Sequence, residues 1–142
     1  MPQRAQRAQV VRLVDGDTVL LRGTDAGPLP GSPTRVRVIG LDTPEIGERE
    51  ECFGPQAAER AAALLPARAQ VWVVRDRDGA DRYGRSLLHV WTPDGRLLSR
   101  VLISEGFATA LLVRPNDRYA GELARAQDEA RSARRGLWSA CR

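Results

Sequence analysis

The amino-acid sequence predicts an α+β fold, and three observations carry that expectation. Short β-branched runs and helical stretches succeed one another as three strands, a helix, two strands and two helices, which does not alternate as a parallel α/β chain would. Clusters of glycine, proline and aspartate punctuate the runs at spacings typical of turns. A length of 142 residues with 42% hydrophobic content suffices for one core, so a single domain over residues 10–142 is expected behind a flexible polar segment, residues 1–9.

Each element has a local reason. Val10 to Val14 and Thr18 to Arg22 are strand-like runs joined by Asp15-Gly16-Asp17, where Asp-Gly signals a hairpin and leaves Asp17 at a turn beside the second strand. Gly23 to Pro33 reads as an exposed connection. Thr34 to Leu41 then alternates, with Arg35, Arg37 and Ile39 on one face and Val36 and Val38 on the other. Pro44 has no N–H for a ladder and biases Thr43 toward an extended conformation, so the strand should end there, setting Asp42 and Glu45 at a rigid strand end. Ile46 to Phe53 is charged and aperiodic, which predicts a mobile loop. Gly54-Pro55 opens a helix whose apolar stripe runs through Ala57, Ala61 and Leu64 until Pro66. Gln70 to Arg75 and Ser86 to Trp91 are the fourth and fifth strands, separated by a charged turn around Gly79. Ser99 is placed to cap a short helix, Arg100 to Glu105, that Gly106 terminates. Leu123, Ala126, Ala130 and Ala133 describe a last amphipathic helix from Ala120 to Arg134, with Leu137 packing just beyond it. A five-stranded antiparallel sheet with a helix after strand three, and three helices in all, matches the OB barrel, whose open face binds oligonucleotides and oligosaccharides.

Composition narrows the function. The 22 Lys+Arg against 18 Asp+Glu give a formal charge of +4 and a pI near 10.0, and every one of those cations is arginine. Arginine suits bidentate phosphate recognition, although a genomic preference for arginine codons yields the same bias. No run approaches the ~20 apolar residues of a membrane helix, and the N-terminus lacks an apolar signal core, so a soluble, membrane-free monomer is expected. Cys52 and Cys141 are too few for a zinc pattern, leaving free thiols or one disulfide. Both fall in segments that otherwise look mobile, where a cross-link is worth ~4–5 kcal/mol in the chain-entropy model, so a disulfide is expected, and with it export to the cell envelope or the medium. His89 alternates with Leu88 and Val90 in a strand and is read as structural. No P-loop, dinucleotide-binding glycine motif or catalytic triad can be assembled. Trp72, Trp91 and Trp138 are read as packing residues.

Three segments in order, Asp15-Gly-Asp-Thr18, Val36-Arg-Val-Ile-Gly-Leu-Asp-Thr-Pro-Glu45 and Asp81-Arg-Tyr-Gly-Arg85, resemble the signature segments of the staphylococcal nuclease (thermonuclease) family. The similarity runs from about Val10 to Trp138 and includes Phe53-Gly-Pro55, Glu105-Gly106, Arg114-Pro-Asn116 and Gly136-Leu-Trp-Ser139. The resemblance implies a calcium-dependent phosphodiesterase acting on DNA and RNA. On it, Asp17 and Asp42 match calcium carboxylates and Thr43 a backbone-carbonyl ligand. Glu45 matches the general base, Arg37 and Arg85 the phosphate-gripping arginines, and Arg82 and Tyr83 contacts to a terminal phosphate. Leu111 and Val113 depart from the pattern, standing where tyrosines would pack beside the base. The rival reading is a non-catalytic nucleic-acid-binding OB module, which would have no need of all five residues Asp17, Arg37, Asp42, Glu45 and Arg85.

Overall fold

A computed structural model describes Pro2 and residues 4–141. In chain order the elements are β1 (Gln6–Asp15), β2 (Thr18–Gly23), β3 (Thr34–Val38), β4 (Leu41–Asp42), α1 (Gly54–Leu64), β5 (Gln70–Val74), β6 (Ser86–Trp91), α2 (Leu98–Ser104), β7 (Thr109–Ala110), α3 (Ala120–Ser132) and α4 (Leu137–Ala140). Five strands close into an OB-type barrel in the order β1-β2-β3-β6-β5, with β5 returning to β1, while β4 and β7 form a separate ribbon. Alternate positions of the barrel strands bury Val10, Val19, Leu21, Val36, Val38, Val71, Val73, Leu88 and Val90 in one core. Leu98, Leu102 and Ile103 of α2 and Leu123 and Ala126 of α3 extend it.

Several expectations are corrected. The barrel is not wholly antiparallel: β3 and β6 run parallel, with Val36 opposite Ser86 and Val38 opposite Leu88. The chain crosses from one to the other through α1 and β5, and β5 takes the antiparallel place on the far side of β6. The expected strand Thr34 to Leu41 breaks after Val38, because Gly40 turns the chain with φ 95° and a Cβ there would strike Leu123 of α3. Ile39 consequently turns inward and is buried rather than sharing the arginine face. The flexible stretch expected over residues 1–9 gives way to strand from Gln6, which pairs with Val73 and is 2% exposed. Its side-chain amide accepts from Leu29 N–H and donates to the carbonyls of Leu29 and Asp25, so the polar group is buried at no net loss of hydrogen bonds. Ser99 lies inside α2 and donates to the Ile39 carbonyl at 2.6 Å, leaving Leu97 as the N-cap. A fourth helix, the single turn α4, adds to the three expected.

Candidate active site

The β1–β2 hairpin turns through Gly16 and Asp17 between the paired residues Asp15 and Thr18. Gly16 is packed so closely on Thr43 that no Cβ fits. The Asp17 carbonyl accepts the Val38 N–H at 2.9 Å, and register sets Arg37 opposite Thr18. Turn and third strand are thus locked together. The Arg37 guanidinium curls around the Gly40 bend, donating to the carbonyls of Val38 (2.7 Å) and Leu41 (2.9 Å). Its other nitrogen stands 3.5 Å from Asp17 Oδ2 and 3.8 Å from Asp42 Oδ1. The β4–β7 ribbon holds Asp42 opposite Thr109, and the next residue, Thr43, donates its N–H to Asp17 Oδ2 at 3.3 Å.

The parallel β3–β6 pair delivers Arg85. With Ser86 beside Val36, Arg85 donates to the Thr18 hydroxyl at 3.2 Å, and that hydroxyl in turn donates to Asp17 Oδ1. Arg85 is also gripped by Asp81 at 2.7 Å, and the same carboxylate accepts the N–H groups of Tyr83 and Arg85. Burial alone would push the Asp81 carboxyl up, but those hydrogen bonds and the Arg85 charge outweigh it and hold it below the ordinary carboxylate range. Tyr83, 69% exposed, has the Arg82 and Arg85 guanidinium carbons 5.0 and 5.6 Å from its ring, and Arg82 donates to its hydroxyl. A groove of about 240 Å³ is lined by Arg37, Arg82, Tyr83 and Arg85 together with Leu111 and Val113.

Glu45 stands at the exposed rim, its backbone tied in both directions to Glu51 and its carboxylate without a hydrogen bond or ion pair among the described residues. Cys52, next to Glu51, is joined to Cys141 beyond α4 by a disulfide with the Cα atoms 5.8 Å apart.

Asp15 is a member of the cluster that sequence reasoning missed. Its carboxylate accepts the Asp17 N–H, and burial together with hydrogen bonding and charge from Asp17 pushes it up to about 6. Asp42 is raised as well, first by burial and then by Asp17. Asp17 and Asp42 therefore share the Arg37 guanidinium, while Asp15 stands behind Asp17. Among the described residues no three His, Cys, Asp or Glu side chains enclose a metal ion by themselves. The available donors are two carboxylates, Asp17 and Asp42, and the peptide at Thr43, an oxygen-only set whose excess negative charge fits a hard divalent cation that keeps water in its shell. His89, by contrast, is 1% exposed and sits in the core with Nε2 2.8 Å from Asp76.

Residues 35–140 match the family described as "Staphylococcal nuclease homologue". The chain is 31% identical to the thermonuclease of Staphylococcus hyicus over 137 residues, covering 94% of this chain and 76% of that protein. It is 33% identical to the thermonuclease of Staphylococcus intermedius, covering 95% and 77%. To Escherichia coli protein ParB it is 34% identical, covering 94% and 72%.

Proposed function

The chain belongs to the staphylococcal nuclease family and is a nuclease, and from that premise we propose that it uses calcium to hydrolyse single-stranded or denatured DNA and RNA. One observation carries the reading: Arg37 and Arg85, far apart in sequence, meet at Thr18 beside the carboxylates Asp17 and Asp42. Planar cations lining an open groove, with carboxylates beside one of them, are what phosphodiester hydrolysis requires.

In this mechanism Arg37 and Arg85 bind the non-bridging oxygens of the scissile phosphate in two-pronged fashion. Charge on those oxygens grows toward the transition state, so the arginines hold it more tightly than the substrate. Glu45 orients the attacking water and takes its proton at a carboxylate oxygen. Arg82 and Tyr83 hold the neighbouring phosphate. Asp17, Asp42 and the Thr43 carbonyl would hold calcium, which when bound supplies charge neutralisation and orients water. The disulfide supports an exported protein, since such bonds persist in oxidising compartments. The closed barrel presents no long unpaired edge, which supports a monomer.

Digestion of heat-denatured DNA and of RNA, with calcium and with a chelator, tests the reading. Cleavage of both in calcium and none in chelator is expected. Full activity in chelator overturns the metal assignment, and binding without cleavage in either condition returns the non-catalytic OB module.

A further inference from the structure

A second basic feature lies outside the catalytic groove. A cleft of about 650 Å³ is lined by Arg4, Arg75 and Arg118 over Gly27, Pro28 and the end of β5. Among the described residues no carboxylate lines it. The neighbouring acids are engaged elsewhere: Asp25 with Arg7, Asp117 with Arg114, and Asp76 buried against His89.

The cleft has a built foundation. Asp76 Oδ2 accepts both His89 Nε2 at 2.8 Å and the Arg118 N–H at 3.1 Å, and Arg75 directly precedes Asp76. The buried His–Asp pair, which hydrolysis does not use, thereby sets Arg75 and Arg118 beside each other from two separate chain segments. Asn116 ties the same segments again, accepting the N–H groups of Arg77 and Asp78 and donating to the Asp78 carbonyl. Asn116 also lines the catalytic groove, and Arg118 is two residues further on, at most ~7 Å of chain away. Groove and cleft are successive stations along one pinned connection that ends at Arg82, Tyr83 and Arg85.

We propose that this cleft is a second phosphate-binding site, which takes the backbone of the same single strand a few nucleotides beyond the scissile bond. Guanidinium groups that form no ion pair with a carboxylate among the described residues match phosphate oxygens, and a sequence-indifferent grip on the backbone gives a nuclease its preference for long strands over short ones. The identity of the strand rests on the nuclease reading; the phosphate chemistry does not.

The test compares the full chain with the variant Arg4→Gln, Arg75→Gln, Arg118→Gln, by fluorescence anisotropy in chelator, where cleavage is not needed. For a labelled strand of about 20 nucleotides, Kd should weaken about tenfold near 0.1 M salt, and the slope of log Kd against log salt should fall by about 2 for three lost phosphate contacts. A labelled trinucleotide should bind alike to both proteins, and with calcium should be cut at the same rate. If the triple variant melts early, Arg75→Gln alone should lower the slope by about 0.7. Unchanged affinity and slope on the long strand overturn the proposal. So does unchanged strand binding with lost binding to phosphatidylserine vesicles, which assigns the cleft to a lipid surface. A protein that cuts nothing, yet whose variant loses long-strand binding, overturns the nuclease reading and leaves the cleft standing.

Discussion

At the scale of residues, Glu45 is exposed and no partner among the described residues holds its carboxylate, so on the proposed mechanism its replacement costs chemistry and little else. Glu45→Gln should lower kcat by ~10²–10⁴-fold at unchanged melting temperature, the usual worth of a general base. Arg37→Lys and Arg85→Lys should also cost activity, because a point charge cannot make the two-pronged contact. Wild-type rates in all three variants would return the protein to the class of binding modules. Leu111 and Val113 are exposed and line the same groove as Tyr83, yet neither can stack on a base with a π-face of its own. Since base–aromatic stacking is worth ~1–3 kcal/mol, Leu111→Tyr should tighten binding of a nucleoside 3′,5′-diphosphate with kcat nearly unchanged. Unchanged affinity at fixed salt and calcium would mean that residue 111 does not face the base. Asp17, Arg37, Asp42, Thr43 and Arg85 were legible as candidates because each sits in one of three segments that, in order, resemble the signature segments of the family. Asp15 was not, because its part depends on how a two-residue turn folds its carboxylate back onto the Asp17 N–H.

At the scale of elements, periodicity revealed where strands and helices lie but not what they touch. β1 begins on Gln6, a residue with no strand signature, because its amide finds partners that only the folded Gly23–Pro33 connection provides. The parallel partnership of β3 and β6 left no mark in either run, since alternation encodes a buried face and not the direction of the neighbour. The bend at Gly40 is likewise set by a helix that arrives far later in the chain. The Cys52–Cys141 bond spans a sequence separation of 89 and ties the segment after Glu45 to the turn α4, itself anchored by Leu137 N–H on the Gly106 carbonyl. Replacing both cysteines by serine should lower unfolding free energy by ~2–5 kcal/mol, read from urea denaturation. Thiol titration of the unreduced, denatured wild type should find no free thiol; two free thiols would refute the cross-link.

At the scale of the whole molecule, the His89–Asp76 pair couples stability to pH. Burial lowers the His89 pKa below its ordinary 6.5 despite Asp76, so in the fold the ring is neutral and donates from Nε2. The unfolded chain takes up that proton more readily, and stability should therefore fall as pH drops below about 6.5. Asp76 works at lower pH: burial raises its pKa, but the hydrogen bonds from His89 and the Arg118 N–H, with the Arg118 charge, outweigh that and hold it below 3.8. Its contribution is present above the unfolded value and is lost as pH falls through the folded one. Urea titrations from pH 8 to 3 should show both limbs, and Asp76→Asn should flatten the lower; a flat profile across the range would contradict the assignment.

The parallel β3–β6 contact has a temporal consequence. Hairpins such as β1–β2 close quickly because their ends are near in sequence, whereas a contact between strands separated by a helix and another strand waits for the whole chain to gather. Arg85 reaches Thr18 only through that late contact, so newly made or diluted chains pass through a period when they are partly structured but harmless to nucleic acid. In a refolding time course, recovery of DNA cleavage should trail the recovery of far-ultraviolet circular dichroism.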